Sequence, residues 1–179
     1  MHERSDEELM AEWAAGAMAA FEALYERHRA PLYRYVLRQA GDAATANDLY
    51  QGAWEKVIRG RGSYRPSAPF RAWLFRIAHN HVVDHYRRQR PGQELHPERI
   101  ESSEDSPGEA LDRAVRRERL ERAIAQLPDK QRDAILLKLD GGLGLDEIAD
   151  VLDVNRETAK SRLRYAVNRL KDALGDSER

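Results

Sequence analysis

Apolar residues along this chain recur at helical spacing, three and four positions apart, and the pattern fails in one place, "PGQELHPERIESSEDSPGEALD" at positions 91–112. That single break constrains the fold more than any other feature. No run of alternating β-branched residues lies between turn signals, so strands are not expected. Two sets of amphipathic helices remain, each too small to build a large core alone. The reading is an all-α protein of two small helical domains: residues 1–90, an acidic flexible linker over 91–113, and residues 114–179. The linker contains Glu94, Glu98, Glu101, Glu104 and Asp105 among prolines, glycines and serines, a composition that does not build a core.

Within the first domain, Ser5 followed by Glu8 fits a capping box, and the run from Leu9 through Leu24, Tyr25, Leu32, Tyr35 and Val36 is helical with interruptions near Gly16 and Pro31. A further helix starts near Asp42 or Thr45, carries Leu49, Trp54, Val57 and Ile58 on its apolar side, and stops at Gly60 and Gly62. After Pro69 comes "FRAWLFRIAHNHVVDHYRR", a helix that mixes aromatic residues with arginines. Beyond the linker, helical signal resumes near Leu111 and runs to Leu127. Pro128 opens a helix with Ile135, Leu136 and Leu139 apolar, ended by Gly141 and Gly142.

The formal net charge of −1 averages over strongly segregated signs, so local charge is the informative quantity. The chain has no cysteine, which excludes disulfides and thiolate metal sites. The acidic start lacks the features of a signal peptide, and no apolar run is long enough to span a membrane. A cytoplasmic protein without membrane insertion is expected.

Residues 143–174 have helix-turn-helix grammar. A short helix bears Leu145, Ile148, Ala149 and Leu152, and a turn follows at Asp153 and Val154. Asn155 caps a longer helix whose apolar positions are Ala159, Leu163, Ala166, Val167 and Leu170. Arg156, Glu157, Lys160, Ser161, Arg164 and Tyr165 are left facing outward, a face suited to a major groove.

Together the halves resemble bacterial sigma factors of the extracytoplasmic-function (group IV) type, with residues 7–90 similar to region 2 and 117–173 to region 4. The resemblance rests on "FRAWLFRIAHNHVVDHYRR" and "LPDKQRDAILLKLDGGLGLDEIADVLDVNRETAKSRL" in that order. It implies a subunit that binds core RNA polymerase, recognises minus-35 and minus-10 promoter elements and melts DNA. Aromatic faces would stack on bases exposed by strand separation while arginines hold the phosphates.

By resemblance, Tyr64 and Asn80 form the minus-10 pocket, Arg71 and Arg76 contact phosphates, and Trp73 is either a wedge at the duplex edge or core. Leu74 and Ile77 are core. Lys160, Ser161, Arg164 and Tyr165 read the minus-35 element, with Arg156 and Thr158 near its backbone. Asp153 stands where the family usually has glycine. The segment "TANDLYQGAWEKV" implies polymerase contacts at Asp48, Gln51 and Trp54. Asn47 and Gly52 occupy positions where acids are common, so a weakened affinity for core is expected. Thr45 opens the motif in place of an acid, either as a helix cap or as a phosphorylation site that restores the missing charge.

His79, His81 and His85 with Asp84 are read as a solvated or DNA-facing surface and not as a metal site. No cofactor is implied and no nucleophile motif is present, so the protein is read as non-enzymatic. Promoter DNA and core polymerase are the implied partners, with an anti-sigma factor or a Ser/Thr kinase as the candidate regulator. A stand-alone helix-turn-helix regulator with an α-helical sensing domain accounts for residues 117–173 equally well, but leaves the aromatic and arginine pattern of 64–90 without a purpose.

Overall fold

The computed structural model describes residues 3–89 and 109–175. Arg90 and the acids Glu94, Glu98, Glu101, Glu104 and Asp105 lie outside the described residues. The described chain is all-α: α1 (Asp6–Ala14), α2 (Met18–Ala40), α3 (Ala43–Gly60), a 3-10 turn (Arg61–Ser63), α4 (Phe70–Gln89), α5 (Glu109–Ala125), α6 (Asp129–Leu139), α7 (Leu145–Leu152) and α8 (Arg156–Gly175). The proposed linker boundary at 113 therefore falls inside α5.

Helix ends follow the local chemistry. The Ser5 hydroxyl accepts from the Glu8 amide while the Glu8 carboxylate accepts from the Ser5 amide, closing a capping box. Asp42, not Thr45, is the N-cap of α3, its carboxylate accepting from the Thr45 amide at 2.8 Å. Pro31, expected to interrupt, sits inside a continuous α2. A helix-interior proline costs about 3 kcal/mol. Leu32 and Val36, both fully buried in the following turns, each return about 1.5–3 kcal/mol on burial.

The N-terminal lobe, α1 to α4, packs around Trp13, Leu24, Tyr35, Val57, Phe70 and Leu74, and the C-terminal lobe, α5 to α8, around Ile124, Leu136, Leu137, Ile148 and Ala159. The two cores are continuous across the interface between lobes. Two residues read as apolar-face members point outward instead, Ile58 at 44 % exposure and Leu139 at 52 %.

Two tertiary hydrogen bonds fix α4, the helix that carries the candidate minus-10 residues. The Phe70 amide at its start donates to the Glu7 carboxylate of α1 at 3.0 Å, placing a negative charge where the exposed amides and the helix dipole favour one. Near its far end, the Tyr86 hydroxyl donates to the Ala40 carbonyl at 2.9 Å, satisfying the last turn of α2. Replacing Glu7 with Ala should remove a capping interaction and destabilise the protein by about 1–2 kcal/mol, with Glu7→Gln retaining part of it. Urea unfolding monitored by circular dichroism gives the values, and an unchanged midpoint for Glu7→Ala would show that α4 starts without this cap.

Candidate nucleic-acid interface

The C-terminal site is assembled by the α7–α8 turn. Asp153 adopts a left-handed backbone, φ 54°, as the C-cap of α7. Aspartate tolerates that region better than most residues, so the turn keeps its shape without the glycine. The Asn155 carboxamide oxygen then accepts from the Thr158 amide at 2.8 Å and starts α8.

Ala159, Ala166 and Leu170 are buried on the inner face of α8, which leaves Arg156, Lys160, Arg164 and Tyr165 exposed and Thr158 and Ser161 half-buried. The Arg164 guanidinium lies 5.3 Å from the Tyr165 ring, a cation–π contact that holds both side chains on the outer surface. Arg156 is tied back to Asp146 of α7 at 2.8 Å. Beside this face runs a groove of about 680 Å³ between the start of α6 and α8, with Pro128, Lys130, Gln131, Thr158, Ser161 and Tyr165 among its lining. The α6 half of that groove was not visible in sequence, because its residues lie about thirty positions before α8 and carry no motif.

In the N-terminal lobe, Arg71, Arg76 and Asn80 are exposed along α4, Trp73 is half-buried, and Leu74 is fully buried. Trp73 packs edge-on against Tyr64 at 5.3 Å and lies tilted against Phe70 at 5.9 Å, so it belongs to the aromatic wall under the 64–70 loop while staying half-exposed. Tyr64 is 9 % exposed and donates its hydroxyl to the Ala68 carbonyl at 2.8 Å. Its role here is to fasten the loop. Asn80 lies seven residues along α4 from Trp73, about 10 Å at 1.5 Å per residue.

Helix α3 presents Asn47, Asp48, Gln51, Glu55 and Ile58 outward. Trp54, expected to meet the polymerase, is 6 % exposed and packs against Phe21, Tyr25 and Tyr50. It supports the surface from beneath. Glu55 and Ile58 are exposed on the same stripe as Asp48 and Gln51, at helical spacing from them.

Gly52 is a close-approach position. A Cβ there would sit 2.3 Å from His81 Nε2, so any side chain at 52 requires the His81 ring to move aside. The three histidines do not converge: His79 Nδ1 is 3.1 Å from the buried Tyr35 hydroxyl, His81 lies over Gly52, and His85 stacks edge-on with Tyr86. Among the described residues no group of three His, Cys, Asp or Glu side chains is placed to hold a metal.

With this geometry in hand, comparison with known proteins is decisive. Residues 24–91 match the Sigma-70 region 2 family and residues 117–170 match Sigma-70 region 4. ECF RNA polymerase sigma factor SigM of Mycobacterium tuberculosis is 33 % identical, over 97 % of this chain and 87 % of that protein. The chain belongs to the ECF sigma-factor family. SigL of the same species is 37 % identical over 90 % of this chain and 92 % of its own. The solved structure of CnrH in complex with the cytosolic domain of CnrY superimposes with a TM-score of 0.72 at 26 % identity, covering 98 % of this chain and all of that one. As an RNA polymerase sigma factor, the chain combines the two regions in the family's order.

The packing at Gly52 yields a titration test of this sigma factor. Burial, followed by the charge of Lys56, holds the His81 imidazole below its ordinary pKa of 6.5. Gly52→Ala should push the ring toward solvent, so the His81 pKa should rise toward 6.5 in an NMR titration. An unchanged pKa would mean that α3 and α4 do not meet at this point.

Proposed function

We propose that this sigma factor binds core RNA polymerase through the outward stripe of α3, reads the minus-35 element with α8, and opens and holds the minus-10 strand with α4. The observation that carries the reading is the exposed cationic and aromatic face at the start of α8, next to the groove with α6, on the same chain as the Arg71–Trp73–Arg76–Asn80 face of α4. Lys160 and Arg164 supply base-edge contacts, while Arg156, Thr158 and Lys130 sit where phosphates pass. Ser161 and Tyr165 complete the reading face. Trp73, half-exposed on its aromatic wall, is the stacking surface at the upstream edge of the bubble, and Arg71 and Arg76 hold phosphates of the displaced strand. Asn80 reads an extruded base. Tyr64 joins that pocket once the 64–70 loop rearranges.

On α3, Asp48, Gln51 and Glu55 offer hydrogen-bond acceptors and negative charge to a basic partner surface, with Ile58 as the apolar contact. Thr45 is half-buried in the first turn, with its amide given to Asp42. A phosphate there would bring about −1.5 to −2 charges close to the Asp42 carboxylate, so the capping turn is the role this geometry supports. The chemistry of RNA synthesis belongs to the polymerase, and the chain is a non-enzymatic, cytoplasmic initiation subunit. No described helix is long and apolar enough to cross a membrane. An anti-sigma factor is the regulator this reading favours, since CnrH, a similar protein, was solved with CnrY bound.

Purified protein added to core polymerase should give run-off transcripts from a limited set of promoters in a genomic library. A protein that bound a specific operator tightly by itself and gave no promoter-specific transcript with core would instead be a stand-alone regulator. Lys160→Ala or Arg164→Ala should cost about 1–3 kcal/mol in minus-35 discrimination and leave core binding unchanged. Equal losses on cognate and scrambled minus-35 sequences would restrict these residues to phosphate contacts.

A further inference from the structure

Helices α3 and α4 touch at Gly52, and the groove beside that contact has no role in the account so far. It holds about 540 Å³ and is walled by Asp48, Gln51 and Glu55 of α3 and by His81, Asp84 and His85 of α4. Positions 48, 52 and 55 share one stripe of α3, and at 52 the His81 ring lies against the helix backbone. There the groove is floored by an imidazole of α4 where α3 would otherwise place a side chain of its own.

The polar groups around this groove are unmet. Among the described residues neither Asp48 nor the half-buried Asp84 has a hydrogen-bond or ion-pair partner. Glu55 reaches only Arg59, at 3.6 Å with both side chains largely exposed, a pair of little strength. The Nε2 atom of His85 is closed to solvent and has no hydrogen-bond partner. Burial, then the charges of Lys56 and His85, outweigh the pull of Asp84 and keep His81 below its ordinary pKa of 6.5, so the floor is neutral at neutral pH. Three carboxylates therefore face a single described cation, Arg88 at the exposed end of α4. A half-buried carboxylate without a counter-charge is unfavourable until a cation reaches it.

We propose that the α3–α4 groove is the socket for an arginine side chain of core RNA polymerase, with Asp84 of α4 supplying the carboxylate that α3 lacks at Gly52. The identity of the partner rests on the proposed function; the groove and its unmet acceptors do not. Asp48, Gln51 and Glu55 belong to the outward stripe of α3, so the socket is continuous with that surface. A guanidinium suits it because five donors in a planar fork can be shared among Asp48, Asp84 and the free nitrogen of His85. An anionic side chain would be repelled by the three acids, and an apolar one would leave every acceptor unpaired.

Binding of the full chain to immobilised core polymerase at two ionic strengths tests the assignment. Asp84→Asn should weaken binding about tenfold at low salt, the difference should shrink as salt rises, and Asp84→Glu should keep most of the affinity. Thermal unfolding separates docking from a structural role: Asp84 has no bonded partner in the free protein, so Asp84→Asn should keep or raise the midpoint. The absence of cysteine also permits a benzophenone label on Gln89→Cys at the groove rim, and the core peptide it crosslinks should contain an arginine. Wild-type affinity of Asp84→Asn at low salt, a lowered midpoint, or a crosslinked peptide without arginine overturns the socket and leaves the sigma-factor reading standing, provided that the unaltered protein binds core. An unaltered protein that did not bind core would overturn both together.

Discussion

Arg38 is the residue on which the arrangement of the two lobes depends. Its guanidinium is about four-fifths buried, with Glu121 on one side and Asp140 on the other, and Asp140 itself retains only 3 % of its side-chain exposure. Arginine suits this position because its planar fork can serve two carboxylates at once. Removing it would leave Asp140 with only the longer contact to Arg34, at 3.6 Å, and a charge that water could not reach. Breaking one partner of such a buried pair is typically worth about 3–5 kcal/mol, while the intact pair contributes much less net stability than its Coulomb attraction suggests. The interaction therefore specifies how the lobes meet more than it strengthens the whole.

That asymmetry matters for a chain whose two lobes must serve separate DNA elements. A wholly apolar interface would be slow to leave, and the observed contact is mixed. Phe75 is buried beneath the Gly141–Gly142 turn, giving an apolar centre, and the surrounding bonds all pass through charged or amide groups. Two glycines in succession permit the close approach, and larger residues would hold the C-terminal lobe away from Arg71.

Much of the fold was legible in sequence because its signals are local. The Ser5–Glu8 box, the left-handed Asp153 and the Asn155 cap each depend on residues within one turn, and the inner face of α8 follows from its 3.6-residue period. Features that depend on distant partners were not legible. Helical period put Trp54, Ile58 and Leu139 on apolar faces; Trp54 is buried as that reading has it, while Ile58 and Leu139 face outward. Gly52 reads as a missing acid until His81 is seen above it. Pro31 reads as a break until the burial of Leu32 and Val36 is counted. Arg38 and Asp140 are 102 positions apart and belong to no motif, so the relation between the lobes was beyond any argument from spacing. The residues proposed for the DNA face were named by resemblance and amphipathicity together; that Arg76 bonds to the Asp150 carbonyl of α7 could only come from the structure.

If Arg38 sets how the two lobes meet, an inter-lobe distance is the most direct measure of it. Spin labels on cysteines replacing the exposed Arg87 of α4 and Asn168 of α8 would report that distance without background thiols. Pulsed electron resonance of the free protein should give a single narrow distribution matching the packed lobes, and Arg38→Ala should broaden it. A broad, long distribution in the unaltered protein, or an unchanged narrow one in Arg38→Ala, would contradict the account.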